Sequence, residues 1–193
     1  MAKKLGRHTY RLEKTVSVCA WGSIGGKKEG EGPLGGAFDE IEPDARLGQK
    51  TWEQAECQLQ LRAVDAACRK AHLMPQELDF ILAGDLLNQC VSSAYGLRAF
   101  GIPFLGIYGA CSTMSEGMVL ASLLLEGTDA DRGGVVTSSH FCSAERQFRT
   151  PLEYGAQRPP TSQWTATAAG CAILGRQERP PYVRTVTIGT IED

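Results

Sequence analysis

The sequence predicts an α/β protein: a sheet built largely from parallel strands, with helices on both faces. Three observations carry this. From residue 51 onward, short β-rich apolar runs alternate with stretches of helical periodicity. Each central run ends abruptly in a polar or glycine-containing turn, as strands do when the chain crosses over through a helix. The last two strand candidates, by contrast, follow one another with only a polar turn between them.

The first strand candidate is Thr15-Val-Ser-Val-Cys-Ala-Trp21, alternating and β-rich, preceded by a basic arm over residues 1–14. A glycine-rich segment over 22–50 reads as a loop. Its Gly25-Gly-Lys-Lys-Glu-Gly-Glu-Gly-Pro-Leu-Gly-Gly36 core matches neither a Walker A loop nor a GxGxxG fingerprint, so a structural or lid role is favoured over a phosphate cradle. Thr51-Trp-Glu-Gln54 has the form of a capping box, and Trp52, Ala55, Leu59, Ala63, Ala66 and Ala67 follow at spacings of three and four. A helix from Trp52 to Ala71 results.

The Met74–Leu78 turn then leads into a strand at Asp79-Phe-Ile-Leu-Ala83, closed by Gly84-Asp85. A helix around Ala94 to Phe100 precedes a strand at Pro103 to Tyr108. A helix starting at Ser112 precedes a strand at Gly134 to Ser138. Residues 139–163, polar and aromatic without a period, read as a long site-forming loop. Two strands, Trp164 to Leu174 and Tyr182 to Ile188, complete the chain.

A length of 193 residues with 42% hydrophobic content suits one domain with a sizeable core. Twenty basic against 22 acidic side chains leave a formal charge of −2, which excludes a global field for nucleic acid or anionic membrane. Any anion site must be local. Seven cysteines without a CxxC pair or a zinc-like grouping read as free thiols in a reducing compartment. No run approaches the length of a membrane-spanning helix, and the basic N-terminus has no apolar stretch after it.

Chemistry should collect at the C-terminal ends of the strands, where Asp85, Cys111 and His140 all fall. Cys111 sits in Gly109-Ala-Cys-Ser-Thr113, at a strand-to-helix elbow. The orphan N–H groups and positive dipole end of a helix favour a thiolate, and the same groups hold a carboxylate. The spacing leaves nucleophile, anion seat and packing residue all open. His140 is the histidine best placed to serve as a base, against the structural role more usual for a lone histidine. In Ser143-Ala-Glu-Arg-Gln-Phe-Arg149, one helical turn sets Arg146 and Arg149 on a common face. Two guanidiniums suit a small dicarboxylate, with Phe148, Tyr154 and Trp164 as an aromatic wall. The competing reading pins this loop to the core through Arg–Glu pairs.

Several segments together resemble the stage V sporulation protein AD family of spore-forming bacteria. They are Gly32-Pro-Leu-Gly-Gly-Ala-Phe-Asp39, Gln49-Lys-Thr-Trp-Glu53, Leu82-Ala-Gly-Asp-Leu-Leu-Asn-Gln89, Gly109-Ala-Cys-Ser-Thr113, Thr137 through Arg149, and Glu153-Tyr-Gly155. The resemblance covers the chain from about residue 14. It implies a thiolase-like fold, of which this chain would be the first βαβαβαββ half, with a mixed, mainly parallel five-stranded sheet. Family members are much longer, and in the thiolases the second half supplies the catalytic histidine. The resemblance therefore implies a binding module and not an enzyme.

The implied ligand is dipicolinic acid (pyridine-2,6-dicarboxylate), taken up into the developing spore, and the implied pocket residues are Asp85, Cys111, Asn88, His140, Arg146 and Arg149. No cofactor or resident metal is implied. Calcium enters only as a chelate carried by the ligand, motivated by the aspartate beside a dianion. Membrane proteins of the same spore uptake complex are implied partners, with a peripheral place at the spore inner membrane. A homodimer is expected if the apolar face of a first half pairs with its own copy. The alternatives are a thiolase or ketoacyl-synthase-like acyltransferase using Cys111 as nucleophile, and a scaffold that only docks on membrane proteins.

Overall fold

The computed structural model describes residues 1–148 and 165–192; the side chains of Asn88 and of residues 145–148 are not among those described. Eight strands, β1 (Lys3–Lys4), β2 (Thr9–Gly26), β3 (Glu40–Glu42), β4 (Phe80–Gly84), β5 (Phe104–Gly106), β6 (Arg132–Ser139), β7 (Ala168–Gly175) and β8 (Tyr182–Thr187), form one sheet. The helices are α1 (Lys27–Gly30), α2 (Trp52–Ala71), α3 (Val91–Leu97), α4 (Thr113–Gly127) and α5 (Phe141–Phe148).

The central order is β2-β7-β6-β4-β5, five of the six strand candidates; the sixth, β8, pairs with β2, so the sheet is wider than the five strands expected. β6, β4 and β5 pair in parallel, while β7 runs antiparallel to both β6 and β2. Four of these five strands therefore point the same way. The parallel strands are reached by crossovers through α3 and α4, as parallel pairing requires, and the antiparallel pair β6–β7 also has a helix, α5, in its connection.

The period of two in each strand sorts the core into two layers. Ile81, Ala83, Val136, Cys171 and Ile173 face α2, packing with Ala55, Leu59, Ala63 and Ala67. Phe80, Leu82, Val135, Ala172 and Leu174 face α4, packing with Ala121 and Leu125. The α2 helix spans the predicted residues. Thr51 caps its start by accepting from the Gln54 N–H at 3.2 Å, and His72 ends it in the left-handed conformation.

Three expectations are corrected. Residues 1–14 are not a free arm: β1 and the start of β2 lie in the sheet, because Thr9–Arg11 of β2 pair with β8. The glycine-rich segment is not loop from residue 22: β2 runs on to Gly26, flanked by β7, and Glu40–Glu42 return as β3 beside it. The glycines are tolerated because the strand is paired, with β7 through Gly25 and with β3 over Ile24–Gly26, and at Gly22 a side chain would collide with the backbone of α2 at Ala63 and Ala67. The region after Ser139 begins as helix α5, while residues 149–164, with Tyr154, Trp164 and the predicted start of the next strand, lie outside the described residues.

Candidate functional site

A cleft of about 590 Å³ opens at the C-terminal ends of β4 and β6, beside the start of β7 and the N-terminus of α4. Its floor is Gly84 and Asp85, one wall is the elbow at Ala110, Cys111, Thr113 and Met114, and the other is Thr137–Ser139 with Ala168–Gly170. Such a place follows from topology, since crossover connections leave strand ends open there.

The elbow is built tightly. Ala110 adopts φ +48, a left-handed conformation that a side chain adopts only under strain. Hydroxyls hold it in place: Thr113 Oγ1 accepts from the Gly109 N–H at 3.0 Å and donates to Ala110 O at 2.8 Å, while Ser112 donates to Gly109 O at 2.7 Å. Beneath it, Gly84 has no room for a side chain, because a Cβ would run into Ile107 O and Thr113 Cγ2. Cys111 is thus presented, exposed, at the cleft's edge in the 3-10 turn before α4.

The structure brings Asp85 and Cys111 together at this cleft. Asp85 is 2% exposed, and both its oxygens are engaged inward: Oδ1 accepts from the Leu87 N–H at 2.9 Å, and Oδ2 accepts from the Ser93 N–H at 2.8 Å and hydroxyl at 2.7 Å. It organises the floor by tying the end of β4 to α3.

His140 is not brought there. It is fully buried outside the cleft lining, between Trp52 and Phe141, with ring centroids 5.3 and 5.2 Å away. Its Nε2 donates to Ala45 O at 2.7 Å and its Nδ1 accepts from the Cys142 N–H at 3.2 Å. Burial holds its imidazole below the ordinary value, so it is neutral with both nitrogens occupied. The sequence placed it correctly after a strand but did not reveal that the chain turns it under α5.

Asn88 lies in the 3-10 turn Asn88–Cys90 that follows Asp85. Arg146 belongs to α5, which starts two residues beyond the cleft's Ser139, and Arg149 lies outside the described residues. Sequence reasoning missed a buried polar chain behind the cleft. Glu56 and Gln60 of α2 bond to Ser138, Ser143 and Ser93. The signal was present in two polar residues, four apart, adjoining the apolar stripe of Ala55, Leu59 and Ala63. Among the described residues no cluster of metal-ligating side chains occurs.

The model of the family described as "Stage V sporulation protein AD (SpoVAD)" matches residues 6–193. The chain belongs to the SpoVAD family. Stage V sporulation protein AD of Bacillus subtilis (strain 168) is 41% identical over 191 residues, covering 99% of this chain and 56% of the relative, so the chain spans little more than half that protein's length. Among solved structures it is similar to 3-oxoacyl-[acyl-carrier-protein] synthase III from Aquifex aeolicus VF5, at 19% identity and a TM-score of 0.55, over 85% of this chain and 55% of that one. It is also similar to a variant of OleA from Xanthomonas campestris, at 16% identity and a TM-score of 0.58, over 86% and 57%. These likenesses establish the thiolase-like fold of this SpoVAD chain.

Proposed function

We propose that this SpoVAD chain binds dipicolinic acid at the cleft between Asp85 and Cys111 for uptake into the developing spore, and that it does not condense acyl groups. The observation that carries this reading is the state of the candidate base His140 and of Asp85 on the cleft floor. A cysteine nucleophile needs a base within hydrogen-bond reach. His140 has both nitrogens bonded away from Cys111, and Asp85 accepts three bonds from the backbone and Ser93. What the elbow still offers is a helix N-terminus beside an open cleft, a setting for a carboxylate. Arg146, and Arg149 beyond it, belong to the segment leaving the cleft's β6 wall, and in this reading they supply the positive charge.

The proposal extends to partners and place. The chain works with membrane proteins of a spore uptake complex, at the inner membrane surface. No helix among the described residues is long and apolar enough to cross a membrane itself. The internal engagement of Asp85 favours the free dicarboxylate over its calcium chelate, since the carboxylate already has donors on both oxygens.

Isothermal calorimetry with dipicolinic acid, with and without calcium, on the wild type, Cys111→Ala and Arg146→Ala tests the reading. Saturable binding, independent of calcium and weakened about tenfold or more by Arg146→Ala, is expected from loss of a charge-assisted contact. A folded protein that shows no binding but is acylated at Cys111 by acyl-CoA would establish the condensing-enzyme alternative instead.

A further inference from the structure

Behind the cleft, two carboxylates are joined through a single amide. Glu56 and Gln60 lie one turn apart on α2 and are fully buried. Gln60 Nε2 is 2.8 Å from Ser138 Oγ and 2.9 Å from Ser93 Oγ, the two nearest of its three acceptors, with Gly84 O at 3.3 Å, while its Oε1 is buried without a hydrogen-bond partner among the described residues. Ser93 passes its own hydrogen to Asp85 at the cleft floor, and Ser138, in the cleft wall, passes its own to Glu56 Oε1 at 2.8 Å.

At the far end the hydrogen count leaves a choice. Ser143 Oγ has one hydrogen and two acceptors in reach, Glu56 Oε2 at 2.7 Å and His140 O at 3.1 Å. With Glu56 ionised, that hydrogen goes to the carboxylate. With Glu56 protonated, the acid donates to Ser143 Oγ and Ser143 turns to His140 O. Both states leave Glu56 and Ser143 bonded and differ by one proton. Asp85, by contrast, accepts from two backbone N–H groups and a hydroxyl.

We propose that Glu56 is a positioning residue whose protonation is coupled to occupation of the cleft by a dicarboxylate. This rests on the binding reading above and states how that site is regulated. The surroundings of Glu56 disfavour its charge. Asp85 faces it from the end of β4 and Glu53 from the preceding turn of α2, and both oppose a second negative charge. His140, after β6, is neutral; Cys57 on α2 is a thiol pushed up to about 11; among the described side chains α5 faces it with Ser143, and Ser93 of α3 reaches it only through Gln60. Among the described residues neither Glu56 nor Asp85 makes an ion pair. Burial foremost, with these neighbours, brings the Glu56 carboxyl up to about 7. A dianion beside Ser138 and Asp85 adds negative charge and favours the acid further. Binding therefore takes up a proton, and affinity rises as pH falls through neutrality.

Calorimetric titration with dipicolinic acid in buffers of different ionisation enthalpy counts that proton. Wild type is expected to take up a fraction of a proton approaching one, with Kd weakening by up to about tenfold per pH unit above the free-state titration. Glu56→Gln should still bind, without uptake and with affinity flat in pH. Ser143→Ala removes a donor that favours the ionised form, so the titration should move to higher pH. If Glu56→Gln does not fold, the presence or absence of that shift decides the matter.

Infrared spectroscopy of the free protein supplies a readout independent of ligand: a carboxylic-acid band that titrates near neutrality in wild type and is absent in Glu56→Gln. Binding without proton uptake, or equal uptake in Glu56→Gln, overturns the coupling alone. A titrating band with no dicarboxylate binding at all overturns the binding reading and the coupling with it. No titrating band overturns the role given to Glu56, whatever binds.

Discussion

At the residue scale, the site divides into one side chain that is presented and several that are locked. The Cys111 thiol is exposed, whereas Cys68, Cys90 and Cys171 are buried and burial pushes their thiols up. A thiol reagent such as Ellman's should therefore modify Cys111 first, and saturating dipicolinic acid should slow that reaction; labelling spread evenly over several cysteines would contradict the elbow geometry. Asp85 is the opposite case. Asp85→Ala leaves the N–H groups of Leu87 and Ser93 without their charged acceptor and should cost about 3 kcal/mol in urea unfolding. Glu56 adds a pH dependence. Its folded value, about 7, lies above that of an unfolded glutamate, so its contribution is fully present below about pH 4 and lost as pH rises through 7. The expected loss is on the order of 3 kcal/mol, and Glu56→Gln should flatten the curve. Equal slopes in the two proteins would place the proton elsewhere.

At the element scale, legibility followed the source of the signal. Helix α2 was readable to the residue because its stripe, its Thr51 cap and its glutamine at the third position are all local. Thr51→Ala should accordingly cost about 1 kcal/mol, measurable by the same unfolding experiment, and a neutral result would mean that packing alone sets the helix start. The strands β4 and β6 were readable for the same reason, as short apolar runs bounded by turns. The full reach of β2 was not, since Gly22, Gly25 and Gly26 carry no strand propensity and are extended only because β7 and β3 pair with them. The site was half legible on the same grounds. That Asp85 and Cys111 line one cleft was readable from their places after strands, but the burial of His140 depends on Trp52 and Ala45, far away in sequence. The bridge from Glu56 to Asp85 depends on four elements meeting, and only tertiary structure supplies that.

At the scale of the whole molecule, two apolar surfaces have no counterpart among the described residues. α4 has apolar side chains on two sides: Ala121 and Leu125 face the sheet, while Leu120 is turned to solvent. The sheet ends at β5, whose Phe104 and Leu105, with Tyr108 just beyond, are 39, 48 and 47% exposed. An edge strand with an unpaired ladder and exposed apolar side chains is a pairing template, and natural edges are usually blunted by charge or covered. Here neither occurs on β5 itself, where the residues are Phe, Leu and Gly. The economical cover is a second copy paired across a twofold axis, which joins two sheets and buries both sets of side chains at once. Light scattering should therefore find a dimer. Leu105→Lys, which sets like charges against each other across that axis, should give a folded monomer; a wild type that stays monomeric at high concentration would leave the edge to a different partner.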